Sequence, residues 1–97
     1  MRVFISQPMS GRSTKEILED RDRAIRKIRK LFGNVEIIDS FIDSHFANPP
    51  LFNLGKAIQK MSMADAVYFA KGWESARGCK IERNCAIEYG IPIYLER

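Results

Sequence analysis

Glu82 is the side chain in this sequence with the strongest case for covalent chemistry. It closes the segment Lys71-Gly72-Trp73-Glu74-Ser75-Ala76-Arg77-Gly78-Cys79-Lys80-Ile81-Glu82. It follows Gly78 by about one helical turn, and Gly78 permits a close backbone approach near a helix start. Helical spacing places Glu82 on a stripe with Ala86 and Tyr89, at the border of a buried face. Burial raises a carboxyl pKa, whereas a helix N-terminus and Arg77 or Arg83 lower it. The expected group is therefore a carboxylate that stays ionised and nucleophilic at neutral pH. Solvated surface is the competing reading for a lone glutamate in a helix. Trp73, in the same segment, either stacks on a base or covers the end of the core.

A second segment, Ser6-Gln7-Pro8-Met9-Ser10-Gly11-Arg12-Ser13, carries small and hydroxyl residues into a helix start and could cradle a phosphate or a sugar. It has neither the GxGxxG nor the GxxxxGK[ST] pattern, so an ordinary turn before a capped helix competes with that reading. Asp39 is a further acidic candidate for a hydrogen bond to a hydroxyl or amino group, with a turn role as the alternative. His45 has no nucleophile beside it in sequence and reads as a surface residue, so no Ser/His/Asp set is apparent. Cys79 and Cys85 lack CxxC spacing and the chain has 1 His, which argues against zinc and for reduced thiols.

These residues need elements to position them. Val3 to Ile5 is a continuous apolar run, read as a strand over Arg2 to Ser6 buried on both faces. Ser13 with Glu16 forms a capping box that opens a long helix, with Ile17, Leu18, Ala24, Ile25, Ile28, Leu31 and Phe32 at helical spacing and Gly33-Asn34 as its stop. Arg21 falls within that stripe, as a snorkelling stem or a ligand-facing guanidinium. Val35 to Ile38 reads as a second strand, and a long loop over Ser40 to Pro50 as a binding loop or a plain excursion. Leu51, Leu54, Ile58 and Met61 mark a second helix, and Ala66 to Ala70 a third buried strand. A third helix runs from about Arg77 to Tyr89, with Ile81, Cys85, Ala86 and Tyr89 inward, and Pro92 to Leu95 is a last strand. The alternation of strands and helices predicts an α/β fold of three layers, α/β/α, around a parallel sheet of about four strands. Such folds bind ligands beyond the carboxyl ends of their strands.

The chain has 97 residues, 45% hydrophobic and 29% charged, which suits one domain over 1–97 and excludes collagen, disulfide-scaffold and disordered classes. No apolar run approaches the roughly 18–20 residues of a membrane span, and the first ten residues do not make a signal peptide. A cytoplasmic protein is the expectation. The net charge of +4 is concentrated in Arg21, Arg23, Arg26, Lys27, Arg29 and Lys30, a helix face that reads as solvated surface before it reads as a nucleic-acid groove.

Taken together, Phe4-Ile5-Ser6-Gln7-Pro8-Met9-Ser10-Gly11, Ala64-Asp65-Ala66-Val67, Gly72-Trp73-Glu74-Ser75-Ala76-Arg77-Gly78, Glu82 and Ala86 to Pro92 resemble the nucleoside 2-deoxyribosyltransferase-like superfamily, nearest to its short bacterial and phage branch. The resemblance covers nearly the whole chain. It implies a flavodoxin-like or Rossmann-like sheet, no metal or organic cofactor, and cleavage or transfer at the N-glycosidic bond of a nucleoside or nucleotide. Glu82 would be the nucleophile toward the anomeric carbon. Ser75 and Gly78 would hold the sugar or 5′-phosphate, and Ser6, Gln7, Pro8, Met9, Ser10 and Gly11, with Arg12 beside them, would line the base and sugar pocket. Trp73 and Glu74 are added as pocket walls from their position in the segment, and Asp39 as a polar contact.

The sequence also departs from the active members. Phe4 stands where the family often has a tyrosine that orients the nucleophile. Gly55, Lys56 and Ala57 stand where an acid that serves the base is common. General acid help is typically worth roughly 10²- to 10⁴-fold. Two functions follow: an N-glycosidase or deoxyribosyltransferase acting through Glu82, and an inactive module that binds or sequesters a nucleotide-derived ligand. A homodimer or higher homo-oligomer is expected under either, because Phe41, Phe46, Leu51 and Phe52 need cover. In enzymes the chain resembles, a neighbouring subunit helps to close the pocket.

Overall fold

The computed structural model describes residues 1–39 and 48–97. Phe41, His45 and Phe46, and with them most of the long loop, lie outside the described residues. Along the chain come β1 (Arg2–Ser6), α1 (Thr14–Phe32), β2 (Glu36–Ile37), α2 (Pro50–Met61), β3 (Ala66–Phe69), α3 (Arg77–Glu88) and β4 (Ile93–Leu95), with a 3₁₀ turn at Trp73–Ser75. The four strands form one parallel sheet in the order β2-β1-β3-β4. This is the three-layer α/β/α arrangement that the alternation predicts, in the order of the flavodoxin-like doubly wound sheet.

The helix boundaries follow from local chemistry. Ser13 Oγ accepts from the Glu16 N–H at 3.2 Å while the Glu16 carboxylate accepts from the Ser13 N–H at 3.0 Å, the reciprocal capping box read from sequence. Gly33, at φ 77°, ends α1 with its N–H on the Arg29 carbonyl. The buried stripe of α1 is narrower than its apolar positions suggested: Ile17, Ala24 and Ile28 are buried, while Leu18 and Leu31 are exposed. Arg21 lies between Ile17 and Ala24 on that stripe. Its Nη2 donates to the Ile38 carbonyl at 3.0 Å, so it ties the end of β2 to α1.

Strand alternation distributes the core to both faces. Val3, Ile5 and Tyr68 pack with Ala24 and Ile28 beneath α1, whereas Phe4, Val67 and Phe69 pack with Met61, Cys79 and Ala86 beneath α2 and α3. The inner stripe of α3 is Cys79, Glu82 and Ala86. This corrects the expected inner face, since Tyr89 is 84% exposed at the helix end and Ile81 also reaches the surface. Leu51 and Phe52, at the start of α2, are exposed as well. Among the described residues no helix is long and apolar enough to cross a membrane.

The α1 face is closed by a carboxylate that the sequence reading did not single out. The Glu96 side chain is fully buried just beyond β4 and accepts from Arg23 at 2.7 Å, Lys27 at 3.0 Å and the Lys71 N–H at 2.9 Å. Arg23 and Lys27 thus set their charges against Glu96 while their side chains stay 33% and 40% exposed. Burial alone would raise the Glu96 pKa, but hydrogen bonds from Arg23, Lys71 and Lys27 outweigh it and hold the group at about 2. A carboxyl whose folded pKa lies below its unfolded value contributes stability that is present above the unfolded pKa and lost as pH falls through the folded one. Melting of the wild type is therefore expected to lose temperature between about pH 4.5 and 2. Glu96→Gln should show a smaller loss across that window and a lower Tm at neutral pH. Charge-assisted hydrogen bonds contribute roughly 1.5–3 kcal/mol each, less where solvent screens Arg23 and Lys27. A Glu96→Gln melting curve that overlays the wild type at every pH would count against this role.

Candidate active site

At the carboxyl edge of the sheet, β1 runs on toward α1 on one face and β3 toward α3 on the other, so the two turns part and leave a cleft of about 1020 Å³. That is at the upper end of the range for small-molecule sites, about 300–1,000 Å³. The cleft has three walls. One is the turn after β1, from Ser6 to Ser10. Another is α2, through Leu51, Asn53, Leu54, Ala57 and Lys60. The third is the start of α3, from Ser75 to Glu82.

Glu82 belongs to the cleft lining and is 6% exposed. Two periodicities bring it there. On β1, Ser6 shares a face with Phe4 two residues earlier, the face toward α3; on α3, Glu82 lies one turn beyond buried Cys79. The two meet, and Ser6 Oγ donates to Glu82 Oε1 at 2.6 Å. Burial pushes the Glu82 carboxyl up to about 7, with the Ser6 hydrogen bond opposing. This corrects the expectation that Arg77 or Arg83 would pull it down. Arg83 lies over the Trp73 ring at 5.4 Å, Arg77 is exposed, and among the described residues no ion pair reaches Glu82. Cys79, next to Ser6, is pushed up to about 12 by burial and stays a thiol.

Of the expected site residues, Ser6, Gln7, Pro8, Met9, Ser10, Ser75, Gly78 and Glu82 all line this cleft. Five do not. Trp73 packs on Phe69, with ring centroids 5.8 Å apart, and covers the end of the core. Glu74 is exposed on the 3₁₀ turn beside it, outside the cleft lining. Gly11 is at φ 76° in the exposed turn before α1. Arg12 turns toward α1, pairs with Asp20 at 2.6 Å, and lines a separate depression of about 290 Å³ with Arg23 and Lys71. Asp39 is exposed at the end of the first described segment, outside both linings.

The sequence reading did not place Arg77, Lys60 or Asn53 in the cleft, nor Cys79 beside Ser6. For Arg77 the usable signal was its position at the start of the helix that bears Glu82. For α2 there was none, because periodicity fixes a helix's apolar stripe and not its tilt over the sheet edge. No three His, Cys, Asp or Glu side chains among the described residues converge as a metal-holding group.

A buried carboxyl with one hydrogen-bond donor has a consequence for stability. The folded state retains the Glu82 proton at pH values where the unfolded chain has lost it, so stability falls as pH rises from about 4.5 to about 7. Glu82→Gln removes that ionisation. Its Tm is expected to exceed that of the wild type at pH 8 by several degrees, with the difference shrinking toward pH 5. A variant that melts below the wild type at pH 8 would show that the charge is well accommodated.

The model of the family described as a domain of unknown function (DUF4406) matches residues 1–95. No curated protein and no solved structure matches the chain. Since the matched span runs from the first strand through the last and includes every wall of the cleft, the chain belongs to the DUF4406 family.

Proposed function

We propose that this chain cleaves or transfers at the N-glycosidic bond of a nucleoside or nucleotide, with Glu82 as the nucleophile. The observation that carries the reading is a buried carboxylate at a switch-point cleft, held by one hydroxyl and paired with no cation among the described residues. The resemblance of the β1 turn and the Gly72 to Glu82 segment to the nucleoside 2-deoxyribosyltransferase-like superfamily points the same way. In the first step a Glu82 carboxylate oxygen bonds to the anomeric carbon, and the carbon–nitrogen bond breaks with its electron pair leaving on the base. Water or a second base then displaces the carboxylate from that carbon, the sequence of a retaining displacement. No cofactor takes part.

Ser75 and the first turn of α3, which has no side-chain cap, suit a sugar or 5′-phosphate. The apolar wall of Leu54, Ala57 and Ile81 suits a base. A second copy of the chain over exposed Leu51 and Phe52 would narrow the mouth of the cleft.

A second reading has an observation of its own. Phe4 brings no hydroxyl to the cleft, and Glu82 is the one carboxyl among the described lining residues, so a departing base receives no proton from a second acid there. On this reading the protein holds its ligand without turning it over.

Purified protein incubated with deoxynucleosides and their 5′-monophosphates, with free base followed by chromatography and binding by calorimetry, separates the two. Base release is expected from the wild type, lowered by at least about 10³-fold in Glu82→Ala. The nucleophile must be ionised, so kcat/KM should rise with pH and reach half its plateau near 7. Binding without release would establish the second reading, and release unchanged in Glu82→Ala would remove the first.

A further inference from the structure

We propose that Ser6 is the positioning residue of the site. Its hydroxyl fixes Oε1 of Glu82 and leaves Oε2 as the oxygen presented to the ligand. This rests on the reading of Glu82 as the reacting carboxylate and extends it to a strand-one residue for which the resemblance implies only pocket lining.

The geometry is specific. Ser6 is 1% exposed and cannot turn to water for a partner. Its Oγ is 2.6 Å from Glu82 Oε1, the short distance expected for a hydroxyl donating to a carboxylate. Among the described residues Ser6, on Oε1, is the one hydrogen-bond partner of the Glu82 side chain, and Glu82 borders the cleft, which leaves Oε2 for a ligand. Phe4 and Ser6 are two residues apart on β1 and project to the same face. A hydroxyl that an aromatic side chain at position 4 would have to extend to the carboxylate is delivered from position 6, one pleat nearer the carboxyl edge.

Cys79 completes the arrangement. It lines the cleft with Ser6, and burial keeps its thiol protonated, so it brings no second negative charge beside Glu82. The other ionisable groups around the cleft are Lys60 on α2 and Arg77 at the start of α3; β1 contributes none. The Ser6 hydroxyl is thus the identified interaction that favours ionised Glu82, opposing the effect of burial.

The test reads the Glu82 carboxyl directly. Carbon-13 NMR of protein labelled at the glutamate side-chain carboxyl, with the Glu82 signal assigned from Glu82→Gln, gives its titration midpoint in the wild type, Ser6→Ala and Ser6→Thr. Loss of the hydroxyl is expected to raise the midpoint by about half to one pH unit, and threonine to restore it. An unchanged midpoint in Ser6→Ala, or Ser6→Thr behaving like alanine, overturns the proposal. Should Ser6→Ala fail to fold, Ser6→Cys carries the same expectation, since a thiol fills the space but donates weakly.

In the base-release assay, Ser6→Ala should lower kcat by roughly 10- to 100-fold with KM changed less than about twofold, and should move the acid limb of the pH profile upward. A change confined to KM would make Ser6 a binding contact and defeat the proposal. The titration is independent of turnover, so if the wild type releases no base, the glycosidic reading fails while the midpoints still decide the part played by Ser6.

Discussion

The parallel pairing of β1 with β3 is the constraint on which the rest of the molecule depends. The two strands stay in register from Val3 with Ala66 to Ser6 with Phe69, and the Ala70 N–H still reaches the Ser6 carbonyl at 2.8 Å. Beyond that point the chains must separate, because one continues to α1 and the other to α3 on opposite faces. Gly72 marks the parting through its backbone: its φ of 93° is unfavourable for any residue with a side chain, although a Cβ there would only reach van der Waals contact with Pro8 Cγ. The cleft is thus not an accident of loop length but the space that a switch of winding direction leaves behind.

Two buried carboxylates lie near this edge, and the protein treats them in opposite ways. Glu96 is surrounded by donors, its charge is matched by Arg23 and Lys27, and it joins α1, β4 and the turn after β3. Glu82 has one hydroxyl and a cleft. One group is held at about 2 and the other at about 7, although both are nearly inaccessible to bulk water. Burial sets the penalty for charge and hydrogen bonding decides how much of it remains. A carboxyl left with most of that penalty adds no stability at neutral pH, and such groups gather where chemistry or ligand recognition maintains them.

The layers, the parallel sheet, the α1 capping box and the position of Glu82 near the sheet edge were legible in the sequence because each rests on local patterns: apolar runs, Ser13 with Glu16, and helical spacing. Side-chain direction was legible only in part. Tyr89 and Ile81 share helical phase with truly buried residues, yet α3 is rolled so that Cys79, Glu82 and Ala86 face inward, and that roll is set by packing against Phe4 and Phe69. Trp73 and Arg12 are near the cleft in sequence but satisfied elsewhere, by Phe69 and by Asp20. The Ser6 to Glu82 bond spans 76 residues and the Glu96 cluster joins the chain's end to α1, distances over which one sequence carries no local signal.

Cys79 points to what kind of molecule this cleft can engage covalently. A thiolate is ordinarily a better nucleophile than a carboxylate, but burial pushes the Cys79 pKa up to about 12 and keeps the group a thiol at neutral pH. Maleimides, iodoacetamides and disulfide reagents, which need a thiolate, would therefore leave Cys79 unmarked. On the proposed reading of Glu82 as the nucleophile, an affinity label for the cleft would instead carry a hard, carbon-centred electrophile of the kind that esterifies carboxylates, such as an epoxide or an activated fluoro-sugar.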